Sequence, residues 1–252
     1  MIRSTVFDEH FDQPVLDPAV WTTSYLPAWS SRAAAAATYA VEDDGLHLTI
    51  PADHPLWCPD LHTTPLRVSA VQSGNWSGPV GSSRGQQPFR DGLVVREEQP
   101  TVLGFTPHHG RVEVTCSARI QPWSMFSAWM VGIEDEPDRC GEICLVEVFG
   151  DAVDGHRAAV GSGIHPFRDP RLVEEFSAEA MTIDVTQPHR YAIDWQPGRV
   201  EFFVDDERMR VCAQAPDYPL QLILGVFDFP DRRPAGEVAV AELAVHRVRG
   251  TR

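Results

Sequence analysis

The chain has 252 residues, 43% of them hydrophobic, with a formal net charge of −15 at pH 7. That length suffices for a full hydrophobic core, in one large β domain or two small ones. The charge argues against nucleic acid and anionic membrane as partners, since both would be repelled, and suits a neutral or cationic ligand.

At the N-terminus, Met1-Ile2-Arg3-Ser4-Thr5-Val6-Phe7-Asp8 has no apolar core and no small-residue cleavage site. The chain as it stands is therefore expected in the cytoplasm, and secretion would require a leader ahead of it. No stretch approaches the length of a membrane span. The Ala33 to Ala37 run reads as a short helical turn or a loop rather than a domain boundary. From there the dominant period is two. Leu46, Leu48 and Ile50 alternate with polar residues, as do Val112, Val114 and Cys116. Further β-prone runs lie at Phe126 to Val131, Glu142 to Phe149, Ala158 to Ile164, Met181 to Asp184, Tyr191 to Trp195, Val200 to Val204, Leu220 to Phe227 and Val238 to Val248. Turn-forming clusters such as Asp43-Asp44-Gly45 and Gln196-Pro197-Gly198 separate them. Many short strands without long helical periodicity predict an all-β antiparallel sandwich or barrel, one domain spanning 1–252.

The stretch from Pro51 to Pro107 is poor in strand signal and rich in Gly, Pro, Ser and His, and is expected to form long loops at a cleft rim. Trp29, Trp57 and Trp76 in the N-terminal third are candidates for that rim. Asn75-Trp76-Ser77 is a glycosylation sequon, expected to be unmodified. The five cysteines, Cys58, Cys116, Cys140, Cys144 and Cys212, are odd in number and lack paired spacing, which suits reduced thiols. Cys140 and Cys144 with His156 and His165 admit a zinc reading. The spacing is looser than structural zinc uses, and no metal is expected there.

The most informative segment is Gly141 to Gly150, which sets Glu142 and Glu147 in one apolar strand. Residues five apart on a regular strand face opposite ways. One bulge among Cys144, Leu145 and Val146 would return both carboxyls to one face. Two carboxyls on the floor of one cleft are the minimum equipment for cleaving a glycosidic bond, one ionised and one protonated. The other reading, two solvated charges on an edge strand, stays open on these ten residues alone.

Three segments carry a family resemblance. Glu142-Ile143-Cys144-Leu145-Val146-Glu147 is similar to a Glu-x-Asp-x-x-Glu signature. His189 to Asp205 looks like a Tyr-x-x-x-Trp-x-Pro hairpin. Gly110 to Val114 with Ser127-Ala128-Trp129-Met130 resembles the paired strands before the catalytic one. Together they resemble glycoside hydrolase family 16, the laminarinase and lichenase group with a concanavalin A-like jelly roll. The likeness runs over roughly Gly110 to Val226.

The resemblance implies a jelly-roll sandwich of two antiparallel sheets with a concave cleft. It implies a retaining, endo-acting hydrolase of a β-linked glucan or galactan, expected as a monomer. Glu142 would be the nucleophile and Glu147 the general acid/base, their carboxyls about 5 to 5.5 Å apart. It places Trp129 and Trp195 as sugar-stacking residues and His165 beside the acid/base. Trp123, at a strand end, and Phe149, two residues past Glu147, are further substrate-binding candidates. No cofactor is required, although a structural calcium is allowed for at Glu9, Gly45 and Glu242. Cys144 departs from the pattern, standing where the family has its central Asp. A neutral thiol cannot replace a carboxylate hydrogen bond, so a carbohydrate-binding protein with weak or lost catalysis is the alternative.

Overall fold

The computed structural model describes residues 5–251. Met1 to Ser4, part of the segment read for a leader, lie outside the described residues, as does Arg252. β1 (Thr5–Glu9), β2 (Thr38–Glu42), β3 (Gly45–Ile50) and β4 (Arg67–Gln72) come first, then the short pair β5 (Gly74–Asn75) and β6 (Val102–Leu103). The long strands β7 (Gly110–Arg119), β8 (Ser124–Gly132) and β9 (Glu142–Phe149) follow, with β10 (Val153–Asp154) and β11 (Arg157–His165). β12 (Glu175–Thr182), β13 (His189–Gln196), β14 (Arg199–Val204), β15 (Glu207–Cys212), β16 (Leu220–Asp228) and β17 (Ala241–Thr251) complete the chain. None of the helical turns among the described residues is long and apolar enough to cross a membrane.

Two antiparallel sheets carry the jelly roll. The first has the order β15-β14-β13-β7-β17-β3-β2, with β1 also on β17. The second runs β10-β11-β9-β8-β16-β4, with β12 also on β11. Alternation explains the core between them. On β7, Val112, Val114, Cys116 and Ala118 point inward, against Phe126, Ala128 and Met130 of β8 and Ile143 of β9. In β8 and β16 every residue is buried. Their outward side chains, among them Trp129, Val131, Ile223 and Phe227, pack against Trp29, Trp57, Leu93 and Val95 from the N-terminal loops. The stretch from Pro51 to Pro107 thus lies over the outer face of the second sheet, where a rim was expected.

Some elements differ from the sequence reading. β12 starts at Glu175 rather than Met181, and β17 runs from Ala241 to Thr251. β4 falls inside the stretch read as loops, yet pairs with β16 from Arg67↔Asp228 to Gln72↔Ile223. Residues 32–35 form a turn, with the Ala35 N–H donating to Ser31 O at 3.0 Å. Asn75 is only 1% exposed and donates to Gln99, which leaves the sequon no room for a glycan.

Candidate active site

The expected bulge sits at Leu145. β8 pairs Ala128 with Val146 and then Trp129 with Cys144, so Leu145 has no partner there. On the other side β11 pairs Gly161 with Glu147 and Gly163 with Cys144, one residue spanning two. Leu145 and Val146 therefore both enter the core between the sheets. Glu142, Glu147 and Phe149 line one cleft of about 470 Å³ on the outer face. Cys144 is buried in the outer-face cluster beneath it, its Sγ 4.0 Å from Ser127 Oγ. Gly163 keeps β11 close. Its φ of 143° and the 2.2 Å that would separate a Cβ from Glu175 O leave room only for glycine.

Glu142 is 8% exposed. Burial pushes its carboxyl up to about 8; the charge of Glu147 adds to the rise and the hydrogen bond from Gln87 opposes it. Burial also raises Glu147, against the opposing charge of His165. Burial and both glutamates hold the Cys144 thiol well above its ordinary range, so the thiol is neutral. Two like charges on one cleft floor share protons as a unit. At neutral pH the more deeply buried Glu142 has the stronger hold on the proton of the pair, the reverse of what the assigned roles need at the moment of attack.

Gln87 connects this pair to the rest of the site. Its Nε2–H donates to Glu142 Oε2 at 3.1 Å, and its Oε1 accepts from Trp129 Nε1–H at 3.3 Å. The backbone at Gln87 has φ 43° and is held by its N–H donating to Glu134 Oε1. Glu134 is itself buried, raised to about 7 by that burial, and its other oxygen is bound by the Arg168 guanidinium. A chain of bonds from Arg168 through Glu134 and Gln87 thus reaches both the nucleophile candidate and the Trp129 ring.

The structure brings Glu142, Glu147, Trp129, His165 and Phe149 together in the cleft. His165 pairs with Glu142 across the ladder, binds Glu174 through Nδ1 and stacks on Phe176 at 4.5 Å. Phe149 stacks with Phe229 at 6.0 Å. Trp195 is not there. Alternation on β13 turns it inward with Tyr191 and Ile193, β13 belongs to the other sheet, and its Nε1–H donates to Pro216 O at 3.1 Å. Trp123 is also no part of the cleft lining. It is 6% exposed beneath the 229–233 turn, where its carbonyl accepts the Phe229 N–H and the Arg233 guanidinium covers its ring. Trp29 is wholly buried, Trp57 walls an adjoining recess with Phe89, and Trp76 lies under Arg84.

Cys140, Cys144, His156 and His165 do not converge. Cys140 accepts the Arg168 N–H, and His156 faces Asp184. The residues matched to calcium do not form a cage either. Glu9 pairs with Val248, six residues along β17 from Glu242, about 20 Å at the strand rise. Glu9 spends its carboxylate on the Phe11 N–H and Trp21 Nε1–H, and Glu242 on His47 and Arg119.

Sequence reasoning missed Gln87, Tyr25, Met125, Phe227, Phe229 and Arg232, all of which line the cleft. Met125 and Phe227 carried a signal, since outward positions on a doubly buried strand must be covered by something. Gln87 and Tyr25 sit on irregular loops with no periodicity to read.

One buried and one half-buried carboxyl thus face a single groove on a jelly-roll sheet. The chain belongs to the glycosyl hydrolases family 16, whose profile matches residues 104–235. No curated protein matches the sequence. Among solved structures, the GlcNAcα1-4Gal-releasing endo-β-galactosidase from Clostridium perfringens aligns with a TM-score of 0.82 and 24% identity over 99% of this chain. The chain spans 62% of that enzyme's length. The laminarinase catalytic domain from Thermotoga maritima aligns with a TM-score of 0.66 and 16% identity, covering 99% of this chain and 98% of the other. A laminarinase from a Flavobacterium species gives 0.64 and 17%, over 99% and 100%. At these identities the likeness establishes the fold.

Proposed function

We propose that the protein is a retaining endo-glycosidase of β-linked glycans, with Glu142 as nucleophile and Glu147 as general acid/base. The observation that carries this reading is the bulge at Leu145, which turns both carboxyls onto one cleft floor while burying Leu145 and Val146. In the first step Glu142 attacks the anomeric carbon as Glu147 gives its proton to the departing oxygen. Glu147 then takes a proton from water, which displaces Glu142 and restores the starting anomer. A glycosidic oxygen accepting from Glu147 favours its protonated form, and the Gln87 Nε2–H favours ionised Glu142. Binding therefore moves the shared proton from Glu142 to Glu147 without changing the charge of the pair.

Endo action is supported by the length of the groove. The cleft shares Tyr25, Leu66, Gln87 and Phe167 with a recess of about 200 Å³, which shares Pro88, Phe89 and Phe167 with a third. A chain bound through all three would occupy several sugar subsites in a row, beginning at the carboxyl pair. The greater likeness to the endo-β-galactosidase than to the laminarinases supports β-galactosides as the first substrates to try, with β-glucans second.

The test is release of reducing ends from β-galactan, mucin-type O-glycan, laminarin and lichenan, with the anomer of the first product followed by NMR. Retention, lost in Glu142→Gln and Glu147→Gln, supports the proposal; an inverted first product refutes the mechanism. Cys144 favours a second reading, a carbohydrate-binding protein. Saturable binding with no turnover on any glycan, unaffected by Glu147→Gln, would establish it.

A further inference from the structure

A second cluster lies at one end of the sandwich, and its recess shares no lining residue with the cleft. Just ahead of β7, His108 and His109 stack, ring centroids 4.2 Å apart. His109 has φ 69°, a left-handed conformation that His, like Asn and Asp, adopts more readily than most residues. The segment leading into β16 sets Asp217 against both rings. Its Oδ1 lies 2.9 Å from His108 Nε2 and 3.6 Å from His109 Nε2. The second distance is too long for a hydrogen bond, and His109 Nε2 is a buried atom with no hydrogen-bond partner. The imidazole ring meets Trp195 edge-on at 5.0 Å, and a recess of about 350 Å³ opens alongside.

We propose that His108, His109 and Asp217 bind a divalent transition-metal ion, zinc foremost, leaving a fourth position for water. Two imidazole nitrogens and one carboxylate oxygen are a zinc donor set with an open site. Calcium would want six or more oxygens. Bonds of 2.0–2.2 Å in a tetrahedron put neighbouring donors ~3.3 Å apart. The two separations from Asp217, 2.9 and 3.6 Å, bracket that edge, and the candidate ligand atoms all lie within 4.8 Å of one another. On binding, the ion takes the place of the hydrogen bond between His108 Nε2 and Asp217, and the neutral His108 ring keeps its proton on Nδ1.

A second three-residue group, Glu42, Asp44 and His47, contrasts with this one. There both ring nitrogens of His47 are already bonded, to Glu242 at 2.6 Å and to Asp44 at 2.8 Å. No lone pair is left for an ion. At the proposed site the metal would reinforce a junction between the two sheets, where Leu220 N–H donates to Pro107 O at 3.1 Å.

Tag-free full-length protein is titrated with Zn²⁺ by calorimetry and with Co²⁺ by visible absorption. The expected result is one ion per chain, a tetrahedral cobalt spectrum without a thiolate charge-transfer band, and a melting temperature raised by roughly 5–10 °C at hundredfold excess over Kd. Asp217→Asn removes the charge, and His109→Asn keeps a residue that tolerates the left-handed backbone. Each should weaken binding at least ~100-fold, beyond the 10–100-fold typical of losing an outer-shell partner. His47→Ala should bind as the unaltered chain does, and near-UV circular dichroism checks that each variant is folded. No binding, a thiolate band, or full affinity in folded Asp217→Asn and His109→Asn would each overturn the proposal.

Discussion

Gln87→Met is the sharpest test of how the carboxyl pair is tuned. Methionine keeps the length of the side chain and leaves the Gln87 N–H on Glu134, but deletes the donor 3.1 Å from Glu142 and the acceptor 3.3 Å from Trp129. A hydrogen bond to an ionised group contributes ~1.5–3 kcal/mol, which is ~1–2 pKa units. Glu142, already near 8, should rise above 9 (about 9–10). Two effects follow for kcat/KM. The form with Glu142 ionised and Glu147 protonated becomes a smaller share of the singly protonated pair, so the plateau falls ~10–100-fold. Loss of the last proton moves to higher pH, so the basic limb shifts upward by ~1–2 units. A variant that merely loosened the loop would lower the plateau and leave the limb in place. The assay is the pH dependence of kcat/KM on whichever glycan is cleaved, with ¹³C-NMR titration of the glutamate carboxyls as an activity-free readout. A basic limb that stays at its original pH would refute the role given to Gln87.

Other variants probe the same geometry. A carboxyl whose folded pKa is raised contributes stability that is present below its unfolded pKa and lost as pH rises through the folded one. For Glu142 that window runs from 4.5 to about 8. Glu142→Gln should therefore melt higher than the unaltered chain at pH 9, by up to several kcal/mol, with the difference vanishing near pH 4; a lower melting temperature at pH 9 contradicts the burial argument. Trp195→Ala should cost ~3–5 kcal/mol of stability by chemical denaturation and leave KM of the folded protein unchanged. Trp129→Phe should raise KM, and the opposite pattern would restore Trp195 to the cleft. Cys144→Asp adds a buried acid that takes up a proton and donates to Glu142, so turnover should rise and the pH optimum move down. No change in either would mean this position has no part in catalysis.

Much of the fold was legible because alternation survives wherever only one face is buried. β3, β7, β13 and β14 show it plainly, and the run Glu142 to Phe149 matches β9 residue for residue. β15 was missed because Glu207, Arg208 and Arg210 give it little apolar signal, although the β14 ladder holds it. β4 was missed because it is buried on both faces and short, with flanks like a loop. Within the site, the carboxyl pair, Trp129, His165 and Phe149 were readable from one strand and its neighbours. Trp195 was misplaced by analogy, although its own parity with Tyr191 and Ile193 pointed inward. Gln87 was beyond reach, because its position depends on a left-handed loop anchored by Glu134 and Arg168, residues 47 and 81 positions away by their numbers.

The bulge explains why this chemistry is built into the fold rather than added to it. Without a surplus residue, Glu142 and Glu147 would face opposite ways, and Glu147 would enter the core opposite Phe126. An unpaired carboxyl there would cost several kcal/mol or remain permanently protonated. In the observed register the two consecutive apolar residues, Leu145 and Val146, are 2% and 0% exposed. Burying such side chains stabilises by ~1.5–3 kcal/mol each. The register that keeps both glutamates in the cleft is thus also the one that hides the most apolar surface. The side chains selecting it face away from the groove, so hydrophobic burial on one side of β9 sets the proton chemistry on the other.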